Sequence, residues 1–129
     1  MILEQSTLLD YATKIGVQAR FEGIAKAQVE SLVASLDFVE DPKLSLLLTS
    51  AYAHRQAARL GRGHNTARIV NELMDRMYKG GEGKEKARFA LGLAKWIYEI
   101  TENYRLPKID IDTLTFEKFL EVLRSAQPR

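Results

Sequence analysis

Apolar residues recur along most of this chain at the three- and four-residue spacing of helices that bury one face. Leu8, Leu9, Ala12, Ile15 and Ala19 define a first stripe, with Ser6 placed to cap it and Gly16 and Gly23 placed to bend or break it. Ile24, Ala27, Val29, Leu32, Val33, Leu36 and Phe38 define a second. Asp41-Pro42 is a helix start, a capping carboxylate followed by the residue whose missing N–H is not needed in a first turn. The helix it opens carries Leu44, Leu47, Leu48, Ala51 and Ala58 as its apolar side and stops at Gly61-Arg62-Gly63. A fourth helix, capped by Asn65 or Thr66, turns Ile69, Val70, Leu73, Met74 and Met77 inward and ends at Gly80, Gly81 and Gly83.

The fifth helix, residues 84–104, is apolar on most of its circumference from Phe89 to Ile100, which predicts neighbours all around it. Gly92 inside it lowers helix propensity by about 1 kcal/mol relative to Ala, so another helix is expected to approach closely there. Phe89, Trp96, Tyr98, Phe116 and Phe119 fall at core spacing, and Tyr52 and Tyr78 at the core's edge. Residues 106–112, which include Pro107, interrupt the helical pattern and are the place for a short extended piece. Asp112 or Thr113 then opens a last helix with Leu114, Phe116, Phe119, Leu120 and Leu123 facing inward. The fold expected is all-α, a compact bundle of five or six helices forming one domain over residues 1–129.

Composition narrows the chemistry. The absence of Cys removes disulfide scaffolds and thiolate sites, and two His leave little for a metal cage. No run approaches the roughly 18 unbroken apolar residues of a membrane span, and the first residues carry acids where a signal peptide carries bases. A cytoplasmic protein with no membrane partner is expected. His54 and His64 lack metal-ligand spacing, and Ser31, Ser45 and Ser50 lack a nucleophile elbow. Gly80-Gly81-Glu82-Gly83-Lys84 lacks the spacing and the Lys-Ser/Thr ending of a P-loop and is read as a turn. Glu99 with Glu102, and Glu117 with Glu121, are expected on solvated faces. No enzyme and no cofactor is expected.

Charge is distributed unevenly. The first 42 residues hold three bases and seven acids, and the remainder sixteen bases and ten acids. Within residues 51–79 there are six bases and two acids. Arg55, Arg59 and Arg62 share one helix face, where like charges one turn apart repel by a few tenths of a kcal/mol. They lead into His64, Asn65 and Arg68 at a helix start, whose free N–H groups attract anions. Together these six residues suit contact with a phosphate backbone. The bland alternative is a capped, solvated turn with Arg68, Glu72 and Arg76 in an ion ladder along one helix. A second basic stretch (Lys84, Lys86, Arg88) is diluted by Glu82 and Glu85 and reads as a solvated helix start.

The basic segment SAYAHRQAARLGRGHNTARIVNELMDRMYKGG and the apolar KARFALGLAKWIYEI after it resemble the small subunits of CRISPR interference complexes, most of all the archaeal type I-A small subunit. The type III small subunits share the helix-plus-basic-face layout more weakly. The likeness runs from about residue 40 onward and is one of pattern and size. It implies a non-catalytic protein that lines the belly of a ribonucleoprotein, bridges other subunits and self-associates. Such a protein supports the guide RNA–target DNA duplex or the displaced strand without reading bases, and Arg55, Arg59, Arg62 and Arg68 become its phosphate contacts. Two other classes compete with this one: a helix-turn-helix regulator built on the third and fourth helices, and a structural adaptor that touches no nucleic acid.

Overall fold

A computed structural model describes residues 3–129 and contains six α-helices: α1 (Gln5–Phe21), α2 (Lys26–Ser35), α3 (Leu44–Leu60), α4 (His64–Lys79), α5 (Lys84–Asn103) and α6 (Phe116–Ser125). The all-α bundle expected from the sequence is present. α5 lies most extensively against α1, and α3 against α4. α2 joins α5 to α3, and α4 leans back on α1, so five helices close a ring around one core, with α6 outside against α1. Ile15, Leu36, Leu46, Val70, Leu73, Met74 and Met77 fill the centre, and Val17, Ile97, Leu114 and Phe119 form a second cluster under α6. No helix among the described residues is long and apolar enough to cross a membrane.

α1 runs unbroken through Gly16, which is the site of close helix approach. A Cβ there would sit 2.5 Å from the Ala94 carbonyl oxygen and 2.7 Å from the Ile97 Cβ, so only Gly lets α5 come so near. Gly92, where that approach was expected, faces open space. The neighbours expected all around α5 are also missing on one side, where Phe89 is 56% and Trp96 68% exposed. Tyr98 and Phe119 are buried as expected, Phe116 is partly so, and Tyr52 and Tyr78 pack at the core's edge.

The largest correction concerns α3. Its inward face is Ser45, Leu46, Thr49, Ala53 and Ala57, while Leu44, Leu47, Ala51 and Ala58 point to solvent and Leu48 is half-buried. Two hydroxyls on the inward face are satisfied locally. Ser45 donates to the Asp41 carbonyl (2.8 Å), and the Thr49 and Ser35 hydroxyls bond each other at 2.8 Å. A satisfied hydroxyl carries little burial penalty, and small side chains let α3 and α4 pack closely. In α2 and the turn after it, Ala27 and Phe38 are likewise exposed.

Caps also differ from expectation. α1 begins at Gln5 rather than after Ser6. Asp41 holds the turn that leads into α3, its Oδ1 accepting from Lys43 and Leu44 N–H at 2.9 Å each, but α3 itself starts at Leu44 after Lys43 rather than at Pro42. Thr115, not Asp112 or Thr113, caps α6, accepting from Lys118 N–H at 3.1 Å. Leu120 on α6 is exposed. The extended piece lies just before the interrupted segment: β1 (Tyr104–Arg105) pairs antiparallel with β2 (Gln127–Pro128).

Candidate nucleic-acid interface

Two left-handed glycines shape the α3–α4 turn. Gly61 ends α3 at φ 72°, and Gly63 precedes α4 at φ 91°. A Cβ on Gly63 would fall 2.9 Å from the Ile24 Cδ1, so the turn is pressed onto the chain between α1 and α2. That contact carries Glu22, at the end of α1, to the first turn of α4. Its carboxylate accepts from Asn65 N–H (3.2 Å), Thr66 N–H (2.7 Å) and the Thr66 hydroxyl (2.6 Å). Partial burial pushes the Glu22 carboxyl up, but the bonds from Thr66 and Asn65 outweigh it and hold the pKa below its ordinary value.

This corrects the sequence reading at two residues. Asn65 and Thr66 are not caps; they lie inside α4, and their N–H groups are already taken by an anion the chain itself supplies. The backbone cradle expected to receive a phosphate is therefore filled. Glu22 escapes a sequence reading because it lies 43 residues from Asn65 and its surroundings carry no capping signal.

The arginines divide into two groups. On α3, Gln56 Oε1 accepts from Arg59 Nε (3.3 Å) and Nη2 (3.1 Å) and from Arg55 Nη1 (3.4 Å), while its own Nε2 donates to the Tyr52 hydroxyl at 3.1 Å. Gln56 thus holds two guanidiniums side by side and is itself fixed by Tyr52. Arg62 does not share their helix face as expected: the left-handed Gly61 ends α3 before it, and Arg62 is exposed in the turn, reaching toward Gly23. On α4, Arg68 donates to Asn65 Oδ1 at 2.6 Å and lines a groove of about 340 Å³ with Gln18, Glu72 and Asp112. A phosphate there would meet two carboxylates. His64 is exposed at the start of α4, and His54 Nδ1 lies 2.9 Å from the Ser50 carbonyl.

Among the described residues, Arg55, Arg59, Arg62 and Arg68 have no carboxylate within ion-pair distance. The ion ladder of Arg68, Glu72 and Arg76 does not form. Glu72 instead accepts from the Tyr11 hydroxyl (2.7 Å), to which Arg76 donates (3.1 Å), a link from α4 to α1. Burial, followed by the Glu72 contact, raises the Tyr11 pKa. The second basic stretch is bound rather than solvated. Arg88 makes a bidentate pair with Asp37 (2.8 and 3.0 Å), Lys84 lies 3.6 Å from the same carboxylate, and Lys86 pairs with the buried Glu82 at 2.7 Å. Glu99, expected in open solvent, pairs with Lys26 at 2.8 Å.

No family model, curated protein or solved structure matches this chain.

Proposed function

We propose that this protein is a non-catalytic subunit of a cytoplasmic RNA-guided CRISPR interference complex, of the small-subunit kind its sequence resembles. In this reading it holds the phosphate backbone of the guide RNA–target DNA duplex or the displaced strand with the end of α3. The supporting observation is the set Arg55, Arg59 and Arg62: three exposed arginines without acidic partners among the described residues, the first two one turn apart on α3 and aligned by Gln56, the third in the turn that follows α3. Unneutralised arginines one turn apart raise the local potential and offer forked donors to phosphate oxygens. In such a complex base pairing reads sequence, and the subunit adds salt-dependent affinity. The regulator reading fits less well. α4 would be its recognition helix, yet Glu72 and Asp75 lie in the middle of α4 and Glu22 fills its first turn.

The test is fluorescence anisotropy with single-stranded DNA and an RNA–DNA duplex across a salt series. The triple variant Arg55→Ala, Arg59→Ala, Arg62→Ala should flatten log affinity against log salt by roughly 0.7–0.9 for each phosphate no longer held, equally for unrelated sequences. Lys108→Ala, Lys118→Ala and Arg124→Ala together, on the α6 side, should change it little. Unchanged affinity and slope in the arginine variant overturn the reading.

A further inference from the structure

The outward face of α5 carries two exposed aromatics, Phe89 and Trp96, beside the half-buried Leu93 and Ile100. Phe89, Leu93, Trp96 and Ile100 follow one another at helical spacing, and Trp96 is the most exposed large apolar side chain described. One turn before Trp96 stands Gly92, with nothing within 4 Å of the position a Cβ would take. The helix therefore presents its largest protrusion and a side-chain-free notch on the same face. A second α5 laid antiparallel about a two-fold axis near residue 94 brings each Trp96 over the partner's Gly92 and each Phe89 beside the partner's Ile100.

Charge follows the same symmetry. Three ion pairs tie α5 to α2 and its C-terminal turn along one flank of this face: Arg88–Asp37, Lys95–Glu30 and Glu99–Lys26. The α5 member is positive at the Arg88 end and negative at the Glu99 end, with the opposing members reversed. The axis that pairs Trp96 with Gly92 also sets the Arg88–Asp37 rung of one copy against the Glu99–Lys26 rung of the other. Positive then faces negative at both ends, and the middle rung, which carries both signs, faces its own copy.

We infer that this face of α5 is an isologous interface, and that the protein forms an antiparallel two-fold dimer by inserting Trp96 of each copy into the notch at Gly92 of the other. This rests on the α5 face alone and does not depend on the nucleic-acid reading. Sedimentation velocity of the full chain over a concentration series should show a monomer–dimer equilibrium. The single Trp reports on the same event, since its emission should move to shorter wavelength as the dimer forms. Gly92→Gln is the discriminating variant. The space it enters is open within the monomer, and Gln is a better helix former than Gly, so the melting temperature of the monomer should hold or rise. Its dimer should nevertheless weaken at least tenfold, with the Trp emission shift abolished. Trp96→Lys should be monomeric with an unchanged helical spectrum. A wild-type chain that stays monomeric, or a Gly92→Gln chain that dimerises as wild type does, overturns the inference.

Discussion

The chain has two basic stretches at helix junctions, Arg55 to Arg68, which holds no acid, and Lys84 to Arg88, which Glu82 and Glu85 dilute. In the fold they differ. Arg88 and Lys84 converge on Asp37, and Lys86 on Glu82, so the second stretch fastens the start of α5 to neighbouring turns. Arg55 and Arg59 converge on an amide, Gln56, which orients them without neutralising them. Cation density in the sequence is thus the same signal for a fastening and for a face without acidic partners. The distinction lies in whether an acid from a distant element arrives, and such an acid arrives at 84–88. At 55–68 Glu22 binds backbone N–H groups and a hydroxyl rather than a guanidinium, and Asp112 lines the Arg68 groove without pairing with it.

Glu22 therefore gives the largest expected effect. Glu22→Ala removes three hydrogen bonds to a carboxylate at a helix start and should lower stability by about 1–2 kcal/mol. A urea titration followed by circular dichroism measures it. The variant also leaves the Asn65 and Thr66 N–H groups open, so added phosphate should stabilise it more than wild type. Equal stabilisation would mean that the first turn of α4 has no appetite for anions. The pH dependence has a fixed sign. The folded pKa of Glu22 lies below its unfolded value, so its contribution is complete above the ordinary carboxylate range and disappears as pH falls through the folded pKa. Glu22→Ala should flatten that acid limb.

Arg88→Ala comes next. It breaks the bidentate pair that holds Asp37, and the Arg88 hydrogen bonds are the main cause of the lowered Asp37 pKa. The pair is open to solvent, so the melting temperature should fall by less than in Glu22→Ala, and the difference from wild type should shrink at high salt. The same sign applies to acid: the Asp37 contribution is present above the ordinary Asp range and disappears as pH falls through its lowered folded pKa. A loss of stability insensitive to salt would mean that Arg88 acts through packing instead.

Much of the fold is legible in the sequence, and the exceptions have particular causes. The glycine stops at Gly61 and Gly81 are local signals, and both hold, while the Asp41 signal marks the turn just before α3. The face of α3 is misleading because hydrophobicity ranks Leu above Ser and Thr, whereas Ser35 and the Asp41 carbonyl, both outside α3, make Thr49 and Ser45 cheap to bury. The close approach falls at Gly16 rather than Gly92 for a related reason. Gly16 and Gly92 are equally plausible contact sites in a helix, and only the pairing of α1 with α5 selects Gly16. The arginines of the candidate site are legible because they are local in sequence. Gln56, which aligns two of them, stands beside them without such a signal, since an amide in a helix carries no charge.

The smallest effect is expected at the first basic stretch. The triple variant Arg55→Ala, Arg59→Ala, Arg62→Ala should stay within about 0.5 kcal/mol of wild type in a urea melt. Arg55 and Arg59 bond only to an amide on their own helix among the described residues, and all three arginines are exposed. On α3, removing the like charges of Arg55 and Arg59 relieves repulsion and Ala favours the helix, while losing Arg59 from the last turn removes a favourable interaction with the helix dipole, so the terms offset and any residual shift should fade with salt. The same measurement on Lys84→Ala, Lys86→Ala, Arg88→Ala together should give a lower stability. If instead the 55–62 variant is destabilised by more than about 1 kcal/mol, those arginines are structural and the two stretches are alike after all. If both variants are neutral, the ion pairs at Asp37 and Glu82 contribute nothing to stability, and acid partnership ceases to separate a fastening from a free face.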